Sequence, residues 1–317
     1  MQGRKSKLVI GTRGSKLALW QAEWVSSLLR AHHPGLTIEL NKIKTTGDKI
    51  QDVPLAKVGG KGLFVKEIEE SLLRGESDIA VHSMKDVPSD LPKGLQLTAI
   101  LKREDPRDAF VSRLVQGVPL FKGLNDLSEG ARVGTSSLRR ACQLMHKRPD
   151  LTIEGLRGNL DTRLRRLDEG QYEAIILAAA GLRRLGWADR VTAYIEPSTL
   201  LPAVGQGAVG IESRVGDNAV NDLIRPLNDE ADALCVLAER AFLRRLEGGC
   251  QVPIAAHATI VGGILTLEGL VGSLSGDRII RDSLQGDLQS VETIGVSLAE
   301  RLLKKGAEEI LKEVYGR

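Results

Sequence analysis

Cysteine, aromatic side chains and long apolar runs are all scarce in this chain. Its 317 residues hold three cysteines, Cys142, Cys235 and Cys250. An odd, widely spaced set excludes a disulfide framework and a cysteine-rich zinc site, so a reduced, cytoplasmic setting is expected. Aromatic residues make up 3% of the chain, which leaves little for stacking bases, and nucleic acid is not an expected partner. The longest apolar stretch, 174–182, ends at Arg183, far short of the ~20 residues of a membrane span. MQGRKSK opens the chain with charge and no apolar segment follows, so no secretory signal is expected. Net charge is also small, 44 basic against 41 acidic residues giving +3. No metal is expected, because His146 and His257 lack a partner at ligand spacing and His32-His33 sit beside Pro34 at a helix end.

What is present is ordinary for a folded protein, 42% hydrophobic and 27% charged, at a length that favours two or three domains. The charge is unevenly placed. Between Arg139 and Arg190 stand eleven Lys/Arg against seven Asp/Glu, and ten of the eleven are arginine. Arginine offers a planar fork that fits carboxylate or phosphate. Each of these arginines could be a solvated helix face; together they point to an anion-binding cleft.

Apolar runs alternate with helical patterns through the first two thirds. Residues 8–10 read as a strand and 16–30 as a helix capped by Ser15, with Leu17, Trp20, Trp24 and Leu28 on one face. Residues 38–43 read as a strand, 63–74 as a helix ended by Gly75, and 78–81 as a buried strand leading into the loop 82–88. The grammar repeats with strands at 131–134, 151–154 and 174–177 and helices at 138–146 and 159–168. Such alternation predicts parallel sheets with ligands outside the strand carboxyl ends. After about residue 228 the texture changes to a helix at 229–246, a hairpin turning at Gly262-Gly263, a strand at 278–282 and a helix at 288–315 broken at Gly306. That is an α+β pattern.

Several loops carry chemistry-bearing residues. Asp86 follows a buried strand beside Lys85 and near His82; it reads either as an acid/base or cation-stabilising carboxylate, or as an Asx turn before Pro88. Cys250 follows two glycines and reads either as an accessible nucleophilic thiol or as a small buried residue. Cys142 and Cys235 read as core. GGKG at 59–62 resembles an anion nest but lacks the Walker spacing, and Lys61 is a ligand lysine or a solvated one. Thr135 to Ser137 followed by Arg139 and Arg140 puts hydroxyls and guanidiniums at one helix N-terminus, a better anion site.

These segments resemble the porphobilinogen deaminase (hydroxymethylbilane synthase) family. The resembling motifs are GTRGSKLA at 11–18, TGD at 46–48, KVGGKGLF at 57–64, VHSMKDVP at 81–88, REDPRDAF at 103–110, GTSSLRR at 134–140, LRGN at 156–159, LPAVGQGA at 201–208 and LEGGCQVP at 246–253. They run in the family's order from 8 to 253, whereas 254–317 agrees mainly in pattern and length. Lys16 stands where many members have proline.

The resemblance implies an α/β fold of two periplasmic-binding-protein-like lobes around a cleft, with a C-terminal α+β domain. The first lobe would comprise 1–103 and 202–225, the second 104–201, and the third domain, carrying the cofactor loop, 226–317. It implies a deaminating transferase of tetrapyrrole (heme) biosynthesis that joins four porphobilinogen molecules head to tail into hydroxymethylbilane, releasing ammonia each time. The implied cofactor is a dipyrromethane primer attached through a thioether to Cys250. Cofactor binding would fall to Arg13, Ser15, Lys85, Asp86, Thr135, Ser137, Arg139, Arg140, Arg157, Arg163 and Arg184. Substrate binding would fall to Arg13, Lys61, Arg157, Arg163, Arg184 and Gln206, while Arg165, Arg166 and Arg190 would remain surface. Asp86 matches the catalytic carboxylate, placed to stabilise the azafulvenium cation left when ammonia departs. About a dozen pyrrole carboxylates would have to meet charge-assisted hydrogen bonds, which accounts for the arginine surplus. A monomer is implied, hinging near 102–108 and 196–202 as the product lengthens. Two other classes stand against this. A solute-binding module would need no Cys250 and release no ammonia, and a nucleic-acid binder would show steep salt dependence.

Overall fold

The alternating pattern folds as an α/β chain in a computed structural model that describes residues 5–49, 62, 64–247 and 252–316. Its first third runs β1 (Lys7–Arg13), α1 (Lys16–His32), β2 (Thr37–Ile43), α2 (Thr46–Lys49), α3 (Lys66–Leu73), β3 (Ile79–Ser83) and β4 (Leu95–Ile100). Next come β5 (Asp108–Ser112), a small hairpin of β6 (Leu114–Val115) and β7 (Val118–Pro119), β8 (Arg132–Gly134), α4 (Leu138–Lys147) and β9 (Thr152–Glu154). They are followed by α5 (Leu160–Asp168), β10 (Ala174–Ala178), α6 (Ala179–Arg184) and β11 (Ala193–Ile195). The last third holds β12 (Val209–Arg214), α7 (Asn218–Ile224), α8 (Glu230–Arg245), β13 (Ile254–Val261), β14 (Ile264–Gly272) and β15 (Ile279–Asp287), then α9 (Val291–Leu302) and α10 (Glu308–Tyr315). The chain falls into two compact units, Met1–Glu104 with Ala208–Leu234, and Asp105–Gly207 with Cys235–Arg317.

In the first unit the sheet order is β2-β1-β3-β12-β4. β1 is parallel to β2 and β3, whereas β12 is antiparallel to both β3 and β4. The parallel sheet expected from the sequence is therefore a mixed one. β12 arrives after the chain has passed through the other unit, so no local βαβ crossover sets its direction. α1 starts where Ser15 Oγ accepts the Ala18 N–H at 3.3 Å and stops at His33, ahead of Pro34 and of Gly35 in the left-handed region at φ 91°. Its buried face is Gln21, Ala22, Val25, Ser26 and Leu29, not the expected Leu17-Trp20-Trp24-Leu28 stripe. The smaller side chains let the helix approach Leu8, Ile10, Ile79 and Ile211 of the sheet. Trp20 and Trp24 instead stack on each other at 5.7 Å, at the margin of that contact.

The second unit repeats the plan with sheet order β11-β5-β10-β8-β9. β8 is parallel to β9 and β10, and β5 runs antiparallel to β10 and β11, so this sheet is mixed as well. Alternate residues of β5 and β10 feed two cores on its opposite faces, Val111 and Ile175 in one, Phe110 and Ile176 in the other.

β13, β14 and β15 form an antiparallel meander. Val261 pairs with Ile264 across Gly262-Gly263, whose φ values of 59° and 79° suit a two-residue turn that needs the left-handed region twice. β15 is longer than the expected 278–282, and the helix after it breaks at Gly306, φ 103°, as its sequence position implied. This sheet packs on α4 of the same unit. The Cys142 sulfur lies where a Gly272 Cβ would be, His146 Nδ1 donates to Gly276 O at 2.9 Å, and Arg281 Nη2 donates to Pro197 O at 2.9 Å. Burial pushes the Cys142 thiol up to about 12, and Cys235 is buried too, so both are core residues rather than nucleophiles.

Gly295 of α9 lets that helix touch α8. A Cβ there would sit 2.8 Å from the Ala241 Cβ. Backbone and Ala side chain have little room to yield, so Gly295→Ala is expected to destabilise the fold by about 1–3 kcal/mol. A urea midpoint equal to that of the parent chain would show that the helices slide apart freely.

Candidate active site

β1 and β3 are parallel neighbours, so their carboxyl ends lie side by side. That register brings Arg13, the last residue of β1, and Ser15 just past it to the turn Met84–Asp86 that follows β3. The turn is anchored by buried Met84, whose N–H donates to Ala208 O at 3.0 Å, and by Gln21 Nε2 donating to Ser83 Oγ at 2.9 Å. Arg13, Ser15, Gln21, Phe64, His82 and Asp86 line one pocket. The Arg13 guanidinium stacks 4.4 Å above the Phe64 ring, which fixes its direction without neutralising it. Asp86 and Lys85 are half-buried. The Asx-turn alternative for Asp86 fails on chemistry, since it needs the N–H two residues on and that residue is Pro88.

In the second unit the parallel strands β9, β8 and β10 present another set of carboxyl ends. Thr135 N–H donates to Glu154 O at 2.8 Å, Ser137 N–H to Thr135 Oγ1 at 3.2 Å, and Ser136 Oγ to Leu156 O at 2.9 Å, so the 135–137 turn is fixed. Arg157 and Arg163 flank the start of α5, and Arg163 Nε donates to Gly158 O at 2.8 Å. Arg184, buried, donates through Nη2 to Gly207 O at 2.6 Å.

The pair Arg139-Arg140 turns inward. Arg140 grips Asp108 Oδ1 through Nε at 3.0 Å and Nη2 at 2.7 Å, while Arg139 Nη1 donates to Asp108 Oδ2 at 2.8 Å and to Leu201 O at 2.7 Å. Gln206 Nε2 adds a bond to Asp108 Oδ1 at 2.9 Å and one to Pro106 O at 2.7 Å. Burial raises the pKa of this fully enclosed carboxyl, but the two guanidinium charges outweigh it and hold the group well below the ordinary carboxylate range. Asp108 thus organises Arg139, Arg140 and Gln206, and sequence reading missed it. Its only local signal was an acid inside REDPRDAF.

Of the three arginines expected at the surface, Arg165 pairs with Glu169 at 3.0 Å on an exposed helix face and Arg190 takes Asp168 in a two-pronged contact. Arg166 is half-exposed. Lys61 and Cys250 lie outside the described residues. Among the described residues no group of three or more His, Cys, Asp or Glu could hold a metal ion, and no helix is long and apolar enough to cross a membrane.

Each unit by itself gathers guanidinium, hydroxyl and backbone donors at its strand carboxyl ends, the arrangement of an α/β protein suited to anionic ligands. Residues 8–222 match the family model for porphobilinogen deaminase, dipyromethane cofactor binding domain, and residues 233–304 match that for the porphobilinogen deaminase C-terminal domain. The chain belongs to the porphobilinogen deaminase family, enzymes of tetrapyrrole biosynthesis that carry a dipyrromethane cofactor. The porphobilinogen deaminase of Geobacter metallireducens is 56% identical over 311 residues, covering 98% of this chain and 96% of that one. That of Geobacter sulfurreducens is 56% identical over 312 residues with the same shares, and that of Pelobacter propionicus 55% over 311 residues, covering 98% of each. Among solved structures, the periplasmic VFT2 domain of Bordetella pertussis BvgS is 15% identical with a TM-score of 0.40, covering 70% of this chain and 86% of that one.

The residues present fit such a cofactor. Two linked pyrroles bring acetate and propionate groups, and each unit taken by itself offers cationic and hydroxylic donors at its strand ends. Arg139 Nε is buried with no hydrogen-bond partner among the described residues, which leaves a donor for an incoming carboxylate.

Proposed function

We propose that the chain condenses four porphobilinogen molecules head to tail into hydroxymethylbilane, with Asp86 as the reacting carboxylate and Cys250 as the thioether anchor of the primer. The observation that carries this reading is the half-buried Asp86 carboxylate sharing one pocket with Arg13 and Ser15. When bound, the dipyrromethane supplies the first free pyrrole α-position for extension. Everything else falls to side chains of this chain. Arg13, Ser15 and Lys85 bind carboxylates next to Asp86. Thr135, Ser137, Arg157, Arg163 and Arg184 bind further carboxylates, joined by the N–H groups of Arg139 and Arg140 that Asp108, Leu201 and Ile176 leave over. Lys61 and Gln206 complete substrate binding. Asp86, as an anion, stabilises the positive charge that develops on porphobilinogen as ammonia leaves, and moves protons in the same step. The enzyme acts as a cytoplasmic monomer.

Arg157 tests the binding half of this proposal. It is partly exposed beyond β9, outside the two cores of its sheet, so its loss is expected to leave those cores packed. Arg157→Ala is expected to stall elongation, with enzyme–pyrrole intermediates accumulating in native mass spectra. Unfolding of the variant, or a normal distribution of intermediates, contradicts a binding role.

A further inference from the structure

Three ionisable side chains of the first unit lie buried together beside the Asp86 pocket, and the roles above use none of them. Glu212 pairs across the sheet with Ala80, so its side chain shares a face with Ala80 and with His82 two residues on. α3 covers this face, packing Ile68 and Leu72 on Ala80 and Leu95, and its Glu69 is buried beside Ile68. His82 Nε2 lies 3.0 Å from Glu212 Oε2, and Glu212 is wholly enclosed. Glu212 Oε1 and Glu69 Oε1 are buried without a hydrogen-bond partner among the described residues. His82 is meanwhile one of the residues that line the pocket holding Asp86.

We propose that His82 is a second acid–base group of this pocket, oriented by Glu212 and served by Glu69 as a buried proton store. The proposal rests on the reading of Asp86 given above. An enclosed carboxylate can only accept, so Nε2 carries the hydrogen and Nδ1 keeps the lone pair. In each condensation the carbon–nitrogen bond of porphobilinogen, whose amine enters as the ammonium, breaks and its electron pair leaves with nitrogen as ammonia. A carbon–carbon bond forms at the α-carbon of the acceptor pyrrole, whose C–H electrons return to the ring, and that proton needs a base. His82 Nδ1 takes it, the Glu212 charge steadies the imidazolium, and the proton then passes to solvent through the pocket. Burial first, and the Glu212 charge second, push the Glu69 carboxyl up to about 7, while His82 acts to lower it. A proton on His82 therefore eases one off Glu69, and the cluster keeps its charge nearly constant. Among the described residues the charged groups beside it include Glu70 on α3, Arg214 on the same face of β12 with its Nη1 donating to Leu72 O, and Asp86 and Arg13 in the pocket.

The test uses holoenzyme and the variants His82→Gln, Glu212→Gln and Glu69→Gln. His82→Gln is expected to lower kcat about 10²-fold with KM and cofactor mass unchanged. Glu69→Gln, which needs no refolding of the pocket, is expected to move the pH profile of kcat by about one unit and to move the NMR titration of the His82 ring. A His82→Gln variant with the parental rate overturns the proposal. So does a Glu69→Gln variant whose pH profile and His82 titration both match the parent, and this second arm stands if His82→Gln does not fold. Loss of rate in Asp86→Asn alongside unchanged His82 and Glu69 variants would reject this inference and leave the role of Asp86 standing.

Discussion

Asp86→Asn is expected to lower kcat by about 10²- to 10⁴-fold while leaving fold and cofactor content unchanged. Asparagine keeps the shape of the side chain and removes its charge and its basicity. The turn that carries it is held by Met84 and Gln21, and among the described residues no bond of the carboxylate holds it, so no structural loss should accompany the substitution. Arg13 stays fixed on Phe64, so under the proposed reading, in which it binds ligand carboxylates, KM is expected to change little. The effect therefore falls on the charge that develops as ammonia leaves. Steady-state kinetics with circular dichroism decide it, and a variant turning over at the parental rate removes Asp86 from the chemistry.

Asp108→Ala is expected to have the largest effect on stability, about 3–5 kcal/mol. The substitution leaves Arg139 and Arg140 buried and facing each other, with no anion between them. It also releases Gln206, so the 201–207 segment loses one of its anchors. Because the native carboxyl titrates below its ordinary range, the stabilisation is complete above the unfolded-state pKa. It is lost only as pH falls through the depressed native value. The difference between parent and variant in urea midpoint should therefore be constant at neutral pH and shrink only in strong acid. A difference below about 1 kcal/mol at pH 7 would mean that the two guanidiniums find water or another anion when Asp108 is gone.

What could be read from the sequence was what local chemistry encodes. Ser15 as a cap, the Gly262-Gly263 turn, the Gly306 break and the loop bearing Asp86 all follow from the residues at those positions. What could not be read depends on distant partners. β5 and β12 are antiparallel strands whose neighbours come from elsewhere in the chain, so no βαβ rhythm announces them. The inward turn of Arg139 and Arg140 depends on Asp108, 31 residues earlier than the first of them. Glu69 and Glu212 look like surface residues by type, yet one is on the buried face of a helix and the other sits mid-strand on an interior strand of a sheet. The arginine surplus signalled an anion site, but composition alone did not separate the arginines that face a ligand from those that hold the protein together.

The most direct test of the central claim is the intact mass of the purified enzyme, followed by peptide mapping around Cys250. The account predicts a mass excess of two linked pyrrole units, located on the peptide that contains Cys250. An unmodified Cys250 that still gains no adduct after incubation with porphobilinogen would contradict it.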